Sequence, residues 1–161
     1  MKGFRSLFVT MLCLVLFAVV AQASVSSNGN YVTMDYADLH IGSNNGMGVT
    51  ISSGGVNTNR YLLDANRHQI HWMLDLIGLT TSGTTTNSFI LIQIPEGKYG
   101  NVTVTNDCKV QVNGAAWENC YVITGNGFNS LYIRRQSEAN WPVTNNIRLN
   151  LNQTFEYRDS Q

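Results

Sequence analysis

The sequence predicts an all-β protein, an antiparallel β-sandwich with a jelly-roll-like arrangement of strands. Several segments alternate apolar and polar residues with a period of two, as strands with one buried face do. Clusters of Gly, Asn and Ser separate these segments at short intervals, which is typical of sandwiches and jelly rolls. Only 12% of the 161 residues are charged, and small polar residues fill the turns and outer positions instead. These observations favour an all-β class over a helical one.

The C-terminal segment, residues 147–158, has the clearest strand pattern. Residues 89–94 are mostly apolar on both faces and end at Pro95, which indicates a central strand. Further strands are predicted at residues 31–41, 48–51, 60–63, 69–79, 101–105, 109–112, 121–124 and 131–134. In the C-terminal strand the face predicted to be buried carries Ile147, Leu149, Leu151, Phe155 and Tyr157, and the opposite face carries Arg148, Asn150, Asn152, Thr154, Glu156 and Arg158.

Residues 64–77 fit either a strand or an amphipathic helix. The strand is favoured because the segments on both sides are β. On a strand, His68 and His71 leave the chain on opposite sides, so no metal site is predicted. The helical alternative would place four potential metal ligands on one face: Asp64, His68, His71 and Asp75.

The first 23 residues predict a secretory signal peptide. A basic start and a short apolar run precede a small-x-small pattern that ends at Ala23. The apolar run is short for a transmembrane helix and no second run follows, so no membrane span is predicted in the mature chain. We expect cleavage before Ser24 and a single β-sandwich domain over residues 24–161. That domain would be secreted and extracellular, or periplasmic in a Gram-negative bacterium.

The charge balance argues against a nucleic-acid partner. Ten basic and ten acidic residues give a formal charge of zero, and the loss of Lys2 and Arg5 with the signal peptide leaves eight against ten. Proteins that bind nucleic acid usually carry a basic excess or a basic patch, and neither is visible here. No cofactor is predicted either.

Two cysteines, Cys108 and Cys120, are predicted to form a disulfide across a β-hairpin. Once Cys13 leaves with the signal peptide, they are an even number in an oxidising compartment. Their positions are symmetric about Gly114, so a three-residue turn centred there would place them directly opposite, within reach of a disulfide. The alternative is a pair of buried free thiols that behave as small apolar groups.

No catalytic motif is present: the chain has no G-x-S-x-G, H-E-x-x-H or C-x-x-C pattern, so we predict that it is not an enzyme. Aromatic residues suggest binding instead, because an exposed ring beside an amide can cover the apolar face of a sugar. Trp72 lies in an apolar run and is assigned to the core. Trp117, Trp141 and Asn140 are the candidate ligand-binding residues, with packing over an end of the sandwich as the alternative for each ring.

Residues 60–158 carry an ordered series of strands and turns. The series includes Ile70-His71-Trp72-Met73-Leu74, a Thr/Ser/Gly turn at residues 79–84, the strand at residues 89–95 and Phe155-Glu156-Tyr157 near the end. This order is similar to the jelly-roll modules at the tips of phage tail fibres and to related C1q-like heads. The resemblance implies a homotrimer that attaches to a ligand on a cell surface.

We therefore expect a secreted, non-catalytic β-sandwich that binds a cell-surface ligand, with a glycan as the candidate. One alternative is a structural subunit of an extracellular assembly, joined by exchange of residues 31–41 or of the C-terminal strand. The other is a small secreted hydrolase.

Overall fold

In the computed structural model, residues 29–83, 85–100, 103–124 and 129–159 are described, and the predicted signal peptide lies outside these ranges. Antiparallel strands dominate the described residues, as predicted, together with short 3-10 segments at Tyr36–Asp38, Ser53–Gly55 and Pro95–Gly97. None of the described helices is long and apolar enough to span a membrane. The strands are β1 (Val32–Thr33), β2 (Ile41–Ser43), β3 (Met47–Thr50), β4 (Val56–Asp64), β5 (Gln69–Gly83), β6 (Ile90–Gln93), β7 (Tyr99–Gly100), β8 (Thr103–Val112), β9 (Glu118–Thr124), β10 (Ser130–Arg135) and β11 (Thr144–Arg158).

Sheet neighbours are mostly distant in sequence, as in a jelly roll. The strands pair in the order β1-β4-β5-β11-β8-β9-β10-β6-β2, with β3 beside the second half of β5 and β7 beside the end of β11. Side chains from β5 and β11 and from β9, β10 and β6 join one buried cluster. The two parts of the sheet therefore pack face to face around a shared core, which is a β-sandwich.

Residues 69–79 form a strand, as favoured by the sequence, and β5 continues to Gly83. The reason lies in the preceding turn. The Asp64 carboxylate accepts hydrogen bonds from the backbone N–H groups of Asn66 and Arg67, each at 3.1 Å. Asp64 thus closes the hairpin between β4 and β5 rather than capping a helix. The four residues that a helix would gather do not share a face.

The predicted faces of the C-terminal strand are confirmed. Every apolar residue assigned to its inner face is buried in β11, and the opposite face is exposed or half-buried. β11 lies between β5 and β8, so it pairs along both edges. A slip of one residue would bring the polar face into the core, which fixes the register strongly.

The single strand predicted at residues 31–41 is wrong. The chain forms β1, then the 3-10 segment Tyr36–Asp38, and then β2. β1 pairs with β4 and β2 pairs with β6, so this segment crosses from one sheet to the other. The crossing requires a bend, and the backbone hydrogen bond from Leu39 to Tyr36 closes it at 3.1 Å.

Two other predictions differ in detail. The segments predicted at residues 101–105 and 109–112 belong to one strand, β8, with a bulge between Thr105 and Cys108. β6 pairs along both edges, with β10 and β2, and buries Ile90 and Ile92 on its inner face. Leu91, on the outer face of β6, is half-buried, so this face is only partly covered.

Candidate ligand-binding surface

The outer surface of β4, β5 and β11 is a polar face with an aromatic ring at each margin. It arises from the period-two alternation of the strands: β5 turns Ile70, Trp72 and Leu74 into the core and the intervening side chains outward. We call this surface the polar face and define it by Thr58, Arg60, His71, Met73, Asp75, Arg148, Asn150 and Asn152, with Tyr31 and Trp117 at its margins.

A shallow open groove of about 180 Å³ runs across the polar face. Its lining combines polar side chains with apolar ones, among them the half-buried Met73. The lining residues are Thr58, Arg60, Met73, Leu74, Asp75, Asn150, Leu151 and Asn152. Such a groove presents hydrogen-bonding groups to a ligand that lies along the sheet rather than one that enters a deep cavity.

An ion pair organises the end of the polar face near Trp117. Two nitrogens of Arg148 contact the carboxylate of Asp75, at 3.0 and 3.3 Å, and the amide of Asn57 donates a further hydrogen bond at 2.7 Å. Burial opposes ionisation of Asp75, but the hydrogen bonds from Arg148 and Asn57 outweigh it and lower the pKa of this carboxyl. Asp75 is therefore ionised at neutral pH and forms an ion pair with Arg148.

Arg148 also holds the exposed ring of Trp117. Its guanidinium carbon lies 5.5 Å from the centroid of the Trp117 ring, which is a cation–π contact. Trp117 is 42% exposed, so much of the indole remains open to solvent. The ring is thus positioned against the polar face while it stays accessible to a ligand.

A second group of side chains lies at the opposite margin, where β1 borders β4. The Arg60 guanidinium lies 5.1 Å from the centroid of the Tyr31 ring, and the His71 imidazole meets the same ring edge-on at 5.8 Å. His71 Nε2 lies 2.8 Å from the side-chain oxygen of Asn152, within hydrogen-bond distance. Tyr31 is 42% exposed.

The two exposed rings are too far apart to bind one sugar. Tyr31 lies beside His71, which pairs with Thr154 of β11, whereas Trp117 lies beside Arg148 of the same strand. With about 3.3 Å per residue along a strand and about 4.8 Å between strands, the rings are separated by roughly 25 Å. The geometry suits an extended ligand that contacts both margins.

Of the candidate residues predicted from the sequence, Trp117 lies at the polar face and Trp141 lies in the core. Trp141 is 1% exposed, and its indole N–H donates to the backbone oxygen of Ser88 at 3.1 Å. Its ring therefore presents no open face to a ligand. Asn140 is exposed in the same loop, and its side-chain oxygen accepts a hydrogen bond from the backbone of Asn87 at 3.1 Å.

Sequence reasoning missed Tyr31, Arg60 and His71 as binding candidates. The alternation in β5 could have placed His71 on an outer face with Asp75. No local signal brings Tyr31 to the same place, because that requires the pairing of β1 with β4.

The predicted opposition of Cys108 and Cys120 is confirmed: they are direct partners in the β8–β9 ladder. Asn113 and Gly114 both have positive φ, and the Ala115 N–H bonds the Val112 oxygen at 2.9 Å, so the turn is tighter than the predicted three-residue one. Both cysteines are buried free thiols in the structure, and the bond between them remains a prediction. A hydrogen bond with Cys120 and burial raise the pKa of the Cys108 thiol.

The described residues form no cluster of metal-ligand side chains. No three His, Cys, Asp or Glu side chains in these ranges cluster as metal ligands would. Asp75 and Glu96 lie apart, since Asp75 is on the outer face and Glu96 accepts a hydrogen bond from Tyr61 on the inner side at 2.7 Å. That hydroxyl and carboxylate bind each other.

Charged groups also cluster at the end of the sandwich where β11 finishes. Lys98 forms ion pairs with Asp159 and with Glu96, and its ammonium lies 5.2 Å from the centroid of the Tyr157 ring. Burial opposes the charged form of Lys98, but the hydrogen bond to Asp159 outweighs it and raises the pKa of the amine. These contacts pair the charges with one another and fix the chain end against the sheet.

Comparison of the chain with models of protein families, with curated proteins and with solved structures finds no match.

Proposed function

We propose that this protein is a secreted, non-catalytic β-sandwich that binds a glycan on a cell surface through the polar face. The observation that carries the proposal is the pair of exposed rings, Tyr31 and Trp117, at the two margins of the polar face. A flat ring covers the apolar face of a sugar, and neighbouring polar side chains bind its hydroxyl groups. Both elements are present on one continuous surface.

Exposed amides supply the hydroxyl-binding chemistry. Asn150 and Asn152 project from β11 into the groove, and each carries donors and an acceptor that match a sugar hydroxyl. Arg60 adds donors at the Tyr31 margin.

Contacts within the polar face hold these groups before a ligand arrives. Arg148 is fixed by Asp75, Asn152 by His71, and Arg60 by the ring of Tyr31. Side chains already restrained lose less rotamer entropy on binding, which supports affinity at a shallow site.

Secretion is the second part of the proposal, and the predicted signal peptide supports it. A surface with few charges and many small polar residues is in keeping with an extracellular protein. N-terminal sequencing of material from the culture medium is expected to begin at Ser24. An intact Met1 terminus on cytosolic protein would contradict this part.

The homotrimer implied by the resemblance, and the alternative of an extended assembly, stay predictions. β11, one of the two strands considered for exchange, pairs along both edges with strands of its own chain. β1 instead lies at the end of the sheet order, beside β4. Size-exclusion chromatography with light scattering separates a closed trimer from a monomer or an open-ended polymer.

A glycan array tests the binding proposal directly. The protein is expected to bind a set of glycans, and Tyr31→Ala and Trp117→Ala are each expected to weaken that binding. Tyr36→Ala is the matched control, because Tyr36 is 43% exposed but lies in the 3-10 segment between the sheets. An array with no bound glycan, or equal losses in all three variants, would overturn the proposal.

A further inference from the structure

We infer that the glycan bound by the polar face is acidic, one whose sugars carry carboxylate or sulfate groups. This inference rests on the proposed function and specifies its ligand class. It follows from an excess of positive charge that is local to the polar face and its neighbour β8.

Three cations and one carboxylate lie on this surface. Arg60 and Arg148 belong to the polar face, and Lys109 lies beside it, because Lys109 of β8 is the direct partner of Asn150. Asp75 is the carboxylate. Two further carboxylates on the same side of the sheet, Glu156 and Asp64, lie in the row of Gln69 at the far end of the strands, and Asp64 is paired with Arg67. The whole chain has a formal charge of zero, so the excess is a property of this surface.

Asp75 compensates only one of the three cations. Its carboxylate is bound by two nitrogens of Arg148 and is 7% exposed, so its charge is directed at that partner. Among the described residues, neither Arg60 nor Lys109 forms an ion pair. Within the ranges that the structure describes, Arg60 and Lys109 are thus two exposed cations without a carboxylate partner.

Arg60 lies where it can bind an acidic group of a sugar whose ring stacks on Tyr31. It lines the groove and lies against Tyr31, one of the two exposed rings. The planar guanidinium matches a carboxylate or sulfate with two parallel hydrogen bonds. A sugar stacked on Tyr31 would place an acidic substituent within reach of this fork.

The test uses an array on which each acidic glycan is printed beside its neutral counterpart, either carboxyl-reduced or desulfated. We expect the acidic member of a pair to bind about tenfold more tightly, since a charge-assisted hydrogen bond at a partly exposed site contributes about that factor. Loss of binding on carboxyl reduction identifies a carboxylate ligand, and loss on desulfation identifies a sulfate.

Lys109→Gln is expected to lower binding to acidic glycans and to leave binding to neutral ones unchanged. Arg60→Gln removes hydrogen-bond donors of the groove as well as a charge, so it is expected to lower binding to both kinds of glycan and to acidic glycans by the larger factor. Arg134→Gln is the matched control, because Arg134 also lies over an aromatic ring, Phe89 at 5.8 Å, but belongs to β10 in the other part of the sheet.

Equal binding to acidic and neutral members would overturn the acidic preference and leave the proposed function intact. No binding to any glycan would overturn both. Loss of binding in Arg134→Gln equal to that in Arg60→Gln would show that overall charge, not this surface, attracts the ligand.

Discussion

Arg148 of β11 and Asp75 of β5 form a two-nitrogen ion pair on the outer surface of the sandwich, with N–O distances of 3.0 and 3.3 Å. The pair links two central strands and also presents the guanidinium to the ring of Trp117. One contact thus connects the stability of the sheet to the position of an exposed aromatic ring.

Acidification is expected to break this pair. Burial raises the pKa of Asp75, but the hydrogen bonds from Arg148 and Asn57 outweigh burial and lower this pKa below its ordinary value of 3.8. A depressed carboxyl pKa adds stability that is fully present above the unfolded pKa and is lost as pH falls through the folded pKa. Urea unfolding of the wild type should therefore show a steeper loss of stability below pH 3.8 than Asp75→Asn does. Equal slopes would show that the pair is not coupled to folding.

Oxidation of the paired cysteines is expected in secreted protein. Cys108 and Cys120 are direct ladder partners, and opposed residues of an antiparallel pair lie within disulfide range. Closing so short a loop should add about 3 kcal/mol to the free energy of unfolding in the chain-entropy model. Alkylation of the unfolded, unreduced protein, followed by mass measurement, should add no label. Two labels would mean free thiols.

Truncation of the core side of β11 is expected to be costly. Leu149 and Leu151 are buried, and replacing either with Ala should lower the free energy of unfolding by about 2–5 kcal/mol. Thr154→Ser changes an exposed position of the same strand and should have little effect. Similar losses from both faces in denaturant titrations would contradict the observed register.

Gln153 occupies an inner position of β11, where an apolar residue would avoid the desolvation free energy of a buried amide. It is 1% exposed, it pairs with Trp72, and both polar atoms of its amide lack a hydrogen-bond partner in the part of the chain that the structure describes. Gln153→Met removes the desolvated amide and should raise the free energy of unfolding by about 1–3 kcal/mol. A loss of stability on chemical denaturation would instead indicate that an internal water binds the amide.

The alternation of β11 predicted its buried face correctly, because this strand keeps one face in a core formed by both parts of the sheet. The same rule failed for residues 31–41, where the chain crosses between sheets and the bend at Leu39 has no period-two signal. Symmetry about Gly114 located the partner of Cys108, since a hairpin register follows from local sequence. Local patterns therefore identify strands, faces and hairpins.

The candidate site was harder to predict because it joins residues from distant segments. Trp117 was identified from its own neighbourhood, but its contact with Arg148 and the approach of Tyr31 to Arg60 depend on which strands pair. Trp141 shows the converse: the sequence allowed either ligand binding or packing for its ring, and the fold buries the ring and bonds its N–H to Ser88.

In the proposed function, Tyr31 and Trp117 are the two stacking sites of one extended glycan surface. Isothermal titration calorimetry with a glycan that binds the wild type tests it most directly, with Tyr31→Ala, Trp117→Ala, the double variant and the control Tyr36→Ala compared at equal folded concentration. Each single variant should weaken binding about tenfold or more, since stacking on a ring is a major contact, while Tyr36→Ala binds as the wild type does. Unchanged affinity in both single variants, in protein that remains folded, would contradict the account.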